Sequence, residues 1–118
     1  MLVIFLDVDG VLNCDTTETK TQKGNDFIDD YLIEKLKEII VATNAKVVLS
    51  SDWRMNRDDS DYLELRAKLE EYDIHFYGFT PILCGTNHSF SFTRGMEIDS
   101  WLKEHQEIEN FVILHFKR

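Results

Sequence analysis

Apolar residues along the chain gather in short runs, separated by longer stretches of mixed character. These runs cover residues 2–6, 45–49, 74–79 and 111–114. An apolar run without a polar face predicts a strand that is covered on both sides, as in a parallel sheet. The run at 2–6 stops at Asp7 and predicts a central strand.

The stretch that follows the first strand predicts a helix. Either Asn25 or Asp26 is suited to cap its N-terminus, and the periodicity continues to about Thr43. Apolar residues recur there at helical spacing and form one stripe: Ile28, Leu32, Leu36, Ile39 and Ile40.

Two more helices are predicted, one at 60–72 and one from an N-cap at Thr93 to about His105, after a loop at 80–92. Strands that alternate with helices in this way indicate an α/β layered fold with right-handed crossovers. With 118 residues, the chain is expected to form a single domain, 1–118.

Polar residues follow the first two predicted strands. Asp7, Asp9 and Gly10 come after the first strand, and the segment 50–54 follows the second. Residues two positions apart on an extended chain point to the same side, and glycine lets the backbone turn sharply. Two such carboxylates repel each other unless a cation or a shared proton relieves them, which suggests Mg²⁺. The alternative is that both are solvated acids of a turn.

Charge and cysteine content narrow the function classes. Acidic residues outnumber basic ones by 22 to 13, for a net charge of −9, which repels phosphate backbones at long range. A nucleic-acid role therefore needs a local basic site. Cys14 and Cys84 lack the spacing of metal ligands and are expected to be free thiols, with a disulfide or a catalytic thiol as the alternatives.

The chain shows neither a signal-peptide pattern nor an apolar stretch of about 18 residues, so we expect a cytoplasmic protein without membrane contact. The sequence leaves the oligomeric state undetermined.

The segment Phe5-Leu6-Asp7-Val8-Asp9-Gly10-Val11-Leu12-Asn13 resembles the first motif of the haloacid dehalogenase-like (HAD) superfamily, hhhDxDG(T/V)L. The resemblance requires a Ser or Thr after a second buried strand, where Ser50 stands, and a basic residue near the start of a later helix, where Arg94 stands. The segments 49–54 and 94–102 are similar to a capless branch with members linked to RNA repair.

The resemblance implies a Rossmann-like, doubly wound, mostly parallel sheet with helices on both faces. It implies that Asp7 is the nucleophile of a phosphatase, that Asp9 is its general acid and base, and that Asp7 and Asp9 hold Mg²⁺. The expected phosphate- or substrate-binding residues are Gly10, Ser50, Ser51, Arg54 and Arg94. Taken alone, the two serines also fit a turn, and Arg94 fits a solvated helix end.

The superfamily's fourth motif, one or two acids after a late strand, has no counterpart. Residues 115–118, which follow the last predicted strand, are His-Phe-Lys-Arg. A truncated or frame-shifted product, an artificially shortened chain and a degenerate domain all explain this. We expect a C-terminally shortened domain that keeps its fold and phosphate pocket, with weak or absent activity.

Between the motifs the chain has no room for a cap domain, which leaves the site open to large substrates. The favoured function is a Mg²⁺-dependent phosphatase for polynucleotide ends, with a small phosphomonoester as the other substrate class. The alternative is a degenerate phosphate-binding or interaction module. A receiver domain is disfavoured, because its phospho-accepting Asp would end the strand at 45–49, which Ser50 follows instead.

Overall fold

The computed structural model describes residues 1–8, 11–13, 28–82 and 90–114, the side chains of 90–94 excepted. Within these residues the chain forms four strands, three α-helices and one 3₁₀ turn at Asp52–Arg54. In chain order the regular elements are β1 (Leu2–Leu6), α1 (Asp30–Thr43), β2 (Lys46–Leu49), α2 (Ser60–Glu70), β3 (Phe76–Phe79), α3 (Phe90–Glu104) and β4 (Asn110–Leu114).

The strands form one parallel sheet in the order β3-β2-β1-β4. Leu6, the last residue of β1, lies opposite both Leu49 of β2 and Leu114 of β4. The predicted α/β fold is therefore confirmed, with β1 in the interior of the sheet. All four strands are parallel, so their C-terminal ends lie at the same end of the sheet, called here the strand-end edge.

Each face of the sheet has its own core. Ile4 and Leu6 of β1 pack into a cluster with buried residues of α1 and α2. The alternate residues Val3 and Phe5 face the other way and pack with Trp101 of α3, whose ring meets that of Phe5 edge-on at a centroid distance of 5.5 Å. Helices on both faces are what right-handed crossovers require when the strand order reverses beside β1.

The N-terminus of α1 differs from the prediction. The helix begins at Asp30 with Asp29 as its N-cap, not with Asn25 or Asp26. Asp29 is fixed from two sides: its carboxylate accepts a hydrogen bond from the Tyr31 amide (2.9 Å), and its own amide donates to the Leu12 carbonyl (2.7 Å). The contact with Leu12 is distant in sequence, so local capping preference did not reveal it.

The buried stripe of α1 also differs, because Ile33 and Leu36 are its buried residues. The predicted stripe included Ile39, which is 42% exposed, and Leu32, which is half-buried. Ile28 is buried as predicted but precedes the helix. Ile33 and Leu36 are three residues apart and so share the side of the helix that packs into the core.

The other elements match the predictions to within a few residues at each end. The largest difference is in α3, which begins at Phe90 and places the predicted cap, Thr93, inside the helix. A capping residue marks where a helix can begin, and the residues before it here also adopt helical geometry. No helix in the described residues has the length and apolar character needed to cross a membrane.

The edge strand β4 differs in burial from its neighbour β1. Phe111, Val112 and Ile113 are 48%, 44% and 43% exposed, whereas Val3, Ile4, Phe5 and Leu6 are at most 1% exposed. Consecutive residues of a strand point to opposite faces. Both faces of β4 are therefore partly open to solvent.

Gly78 of β3 provides a test of the α3 packing. A Cβ atom on Gly78 would lie 3.3 Å from Nε1 of Trp101, whereas one on Gly95 of α3 meets nothing within 4 Å. We expect Gly78→Val to lower the free energy of unfolding by about 1–3 kcal/mol through overpacking. Gly95→Ala, the control, should raise it by about 1 kcal/mol through helix propensity. Urea unfolding measures both, and equal effects would contradict this packing.

Candidate functional site

Three polar residues stand side by side where the strands end. The amide of Asp7 donates to the Leu114 carbonyl (2.9 Å), that of Ser50 to the Leu6 carbonyl (2.9 Å) and that of Thr80 to the Leu49 carbonyl (3.1 Å). The backbone ladder thus continues one residue beyond β1, β2 and β3. Neighbouring strands lie about 4.8 Å apart, so these residues form a row, called here the strand-end row.

The strand-end row is on the α3 side of the sheet. Each member comes two positions after a residue that packs on that side, namely Phe5, Val48 and Gly78. Helix α3 runs antiparallel to the strands: Trp101 packs in mid-sheet, and Glu97, one turn earlier, lies near the strand ends. The N-terminal half of α3 is therefore next to the row.

The order of the strands also reverses beside β1, and this marks the same end of the sheet as a place for ligands. From β1 the chain proceeds to β2 and β3 on one side, and then returns to β4 on the other side of β1. In open α/β sheets such a reversal leaves a crevice beyond the carboxyl ends of the strands, and ligands bind there. Asp7, which directly follows β1, lies at this reversal.

Two hydroxyl groups of the row have no hydrogen-bond partner among the residues that the structure describes. Ser50 and Thr80 are each 2% exposed, and their Oγ and Oγ1 atoms are buried without a partner. A buried polar atom without a partner is costly. Ser51 differs, because its Oγ accepts a hydrogen bond from the Trp53 amide (3.2 Å) and caps the 3₁₀ turn. The hydroxyl of Ser50 thus differs from that of Ser51, which is used within the protein; the predicted phosphate contact of Ser50 stays a prediction.

Asp7 is half-buried, and its Oδ1 accepts a hydrogen bond from the Val8 amide at 2.9 Å. Carboxylate oxygen is the ligand type that Mg²⁺ prefers, and this ion often binds through one or two carboxylates together with substrate phosphates. No group of three or more His, Cys, Asp or Glu residues able to hold a metal ion occurs in the described part of the chain. Asp7 fits this sparse kind of Mg²⁺ site. Asp9 and Gly10 lie outside the described residues.

Arg54 is buried at the same edge and binds the protein itself. Its guanidinium donates to backbone carbonyls of the segments that follow β2 and β3, and it pairs with Glu97 of α3 at 2.6 Å. The expected contact between Arg54 and a substrate phosphate stays a prediction, and it would require some of these bonds to break.

Arg94 belongs to α3, and its side chain lies outside the described residues. Its position precedes Glu97 by three residues and the buried Ile98 by four. Position 94 is therefore one turn closer to the helix N-terminus than Glu97.

Sequence reasoning missed Thr80 and Glu97. A usable signal existed for Thr80, which follows an apolar-rich run as Ser50 does. Nothing local marked Glu97, because a glutamate within a helix is ordinary and its partner, Arg54, belongs to a distant segment. Cys14 and Cys84, the two predicted free thiols, lie outside the described residues.

Comparison with known proteins gave one result for the family and none for individual relatives. A family model described as "HAD domain in Swiss Army Knife RNA repair proteins" matches residues 3–115. Comparison with curated proteins found no match, and comparison with solved structures found none either. The matched residues include Asp7, Ser50 and Thr80 of the strand-end row and the whole of α3.

The unpartnered hydroxyls predict an unusual pair of mutational effects. Ser50→Ala and Thr80→Val each remove a buried polar atom that lacks a partner, so each should raise the free energy of unfolding by about 1 kcal/mol. Ser51→Ala, the matched control, removes a cap and should lower it by about 1 kcal/mol. Chemical denaturation without phosphate measures all three. If Ser50→Ala lowers stability as much as Ser51→Ala does, the Ser50 hydroxyl has a hydrogen-bond partner in the folded protein.

Proposed function

The chain belongs to the family of HAD domains found in Swiss Army Knife RNA repair proteins, and from this membership we propose that it is a Mg²⁺-dependent phosphomonoester hydrolase that works through an aspartyl-phosphate. The observation that supports the proposal is the position of Asp7 beside the buried, unpartnered hydroxyl of Ser50. A carboxylate nucleophile and a free hydrogen-bond donor at one strand edge are what phosphoryl transfer to a side chain requires.

Each step has a residue to perform it. An oxygen of Asp7 attacks phosphorus in line, the bond to the leaving oxygen breaks, and the phosphoryl group is held as an acyl phosphate. Asp9 donates a proton to the leaving oxygen and afterwards takes one from the water that hydrolyses the intermediate. Bound Mg²⁺, held by the Asp7 carboxylate and the Asp9 carbonyl, would neutralise charge on the phosphoryl oxygens.

Ser50 and Arg94 complete the phosphoryl site in this proposal. The Ser50 hydroxyl donates a hydrogen bond to a phosphoryl oxygen, which satisfies its own unmet requirement. Arg94, which lies in the N-terminal part of α3, supplies positive charge to the phosphoryl group. Gly10 and Ser51 contribute backbone close to the phosphate, Gly10 because it lets the chain turn over the site.

The proposed substrate is a phosphorylated polynucleotide end. Between β2 and β3 the chain holds only the 3₁₀ turn, α2 and their connections, so no inserted domain covers the site from there. A groove of about 750 Å³ beside β3 includes Arg57, Arg66 and Phe79 in its lining. Its two arginines offset Asp58 and Glu70, which makes it locally neutral in a chain of net charge −9. A neutral, partly aromatic surface repels a nucleic-acid strand less than the acidic remainder of the protein does, but it is not the local basic site that such a strand needs. The proposed substrate class therefore rests mainly on the family membership.

Replacing the proposed nucleophile tests the chemistry. Asp7→Asn should reduce Mg²⁺-dependent hydrolysis of p-nitrophenyl phosphate by on the order of 10³-fold or more, because an amide cannot form the acyl phosphate. Asp99→Asn serves as the control, since Asp99 is an exposed residue of α3 paired with Lys103. Mass spectrometry of acid-quenched protein should find phosphate on Asp7. Unchanged turnover in Asp7→Asn would refute the mechanism.

The substrate class has its own test. We expect kcat/KM for a 3′- or 5′-phosphorylated oligoribonucleotide to exceed that for p-nitrophenyl phosphate. Arg57→Ala should lower the first value several-fold and leave the second unchanged, because Arg57 lies over the Phe79 ring in the groove, 4.5 Å from its centroid. If Arg57→Ala lowers kcat/KM equally for both substrates, Arg57 supports the fold and does not bind the oligoribonucleotide.

A second candidate is a phosphate-binding module with little turnover. It is favoured by one observation: none of residues 115–118, which follow β4, is a carboxylate. With fewer carboxylate ligands, Mg²⁺ binding is expected to be weak. Phosphate binding that depends on Ser50, without Mg²⁺-dependent hydrolysis, would support this function, whereas robust turnover would exclude it.

A further inference from the structure

Arg54 connects three separate segments at the strand-end edge. Its side chain is 3% exposed, and that of its partner Glu97 is 7% exposed. Nε donates to the Thr80 carbonyl (2.9 Å), and Nη1 donates to the carbonyls of Ser51 (2.8 Å) and Ser50 (3.4 Å). Arg54 thus binds the backbone that leads from β2 into its own turn and the backbone that follows β3.

The remaining donors complete the set. Nη2 donates to the Pro81 carbonyl at 3.1 Å and contacts Oε1 of Glu97 at 2.6 Å. A guanidinium group has five N–H donors, and five acceptors surround this one. A substrate phosphate at Arg54 would therefore have to displace a protein partner, and separating a buried ion pair is strongly unfavourable.

Three of the acceptors of Arg54 belong to the strand-end row and to α3. Ser50 and Thr80, whose carbonyls Arg54 holds, are the two residues of the strand-end row with unpartnered hydroxyls. Glu97 belongs to α3, one turn after position 94. One side chain thus ties together the segments that carry two hydroxyls of the row and the helix that carries Arg94.

We propose that Arg54, held in place by Glu97, is a positioning residue that sets the Ser50 and Thr80 hydroxyls and the N-terminal half of α3 against Asp7, and that it does not contact substrate. The role requires a planar fork of donors, which lysine lacks despite its equal charge. Its consequence for turnover rests on the proposed function. Its consequence for the order of the strand-end segments does not.

The test uses the full chain with conservative substitutions. The variants are Arg54→Lys, Glu97→Gln and the double variant. The matched controls are Lys35→Arg and Glu38→Gln, which alter an exposed pair within α1 with an N–O distance of 3.6 Å. Amide hydrogen exchange of segments 50–55 and 80–82 reports their order, and kcat and KM for p-nitrophenyl phosphate report catalysis.

We expect both single variants to speed amide exchange in these two segments and to leave exchange in β1 unchanged. The control variants should exchange like the wild-type protein. We also expect Arg54→Lys and Glu97→Gln to lower kcat by a similar factor, roughly ten- to hundred-fold. The double variant should lose little more than either single variant, because both act through one unit.

Several results would overturn the proposal. One is a raised KM in Arg54→Lys with normal constants in Glu97→Gln, which would show that Arg54 binds substrate directly. Another is faster exchange throughout the chain, or unfolding of both variants, which would show only a contribution to global stability. If the wild-type protein lacks turnover, the proposed function fails, and the exchange pattern alone still decides whether Arg54 positions these segments.

Discussion

β1 is hydrogen-bonded to β2 on one side and to β4 on the other, and this pairing sets the level at which every strand-end residue stands. Leu6 lies opposite Leu49 and Leu114, so the residues that follow the strands emerge together. A shift of one residue in this register would turn Asp7 from the α3 face to the other face of the sheet. The buried apolar residues of β1 prevent such a shift, because both faces of the strand are committed to a core. The site therefore depends on core packing before it depends on any polar contact.

The sequence predicted elements well where the signal is local and poorly where it depends on a distant partner. Continuous apolar runs located the strands, and the spacing of Asp7 and Ser50 after two of them indicated the shared edge. The start of α1 was wrong because the contact between Asp29 and Leu12 lies outside any local pattern. Arg54 has the same character: its position next to the serines was evident, but its carbonyl partners after β3 and its pairing with Glu97 emerge only from the folded chain.

The strand-end edge combines a costly feature with a stabilising one. Two buried hydroxyls without partners reduce stability, and such defects in a folded protein tend to mark places where a ligand completes the bonding. Arg54 lies directly behind them with every donor satisfied. The carbonyls of Ser50 and Thr80 are thereby held, so their side chains are constrained even though they lack partners. If the proposed function holds, a phosphoryl group enters a site whose backbone is already fixed, which lowers the entropic cost of binding it.

The exposed apolar residues of the edge strand β4 bear on how two copies of the protein interact in solution. An edge strand with exposed apolar residues is a template for pairing with another chain, and Phe111, Val112 and Ile113 supply such a surface. Two copies that approach through this edge each carry a net charge of −9, so electrostatic repulsion keeps them apart at low ionic strength. Added salt shortens the range of that repulsion and leaves the apolar attraction intact. Pairing of two copies through this edge would therefore depend on ionic strength as well as on concentration.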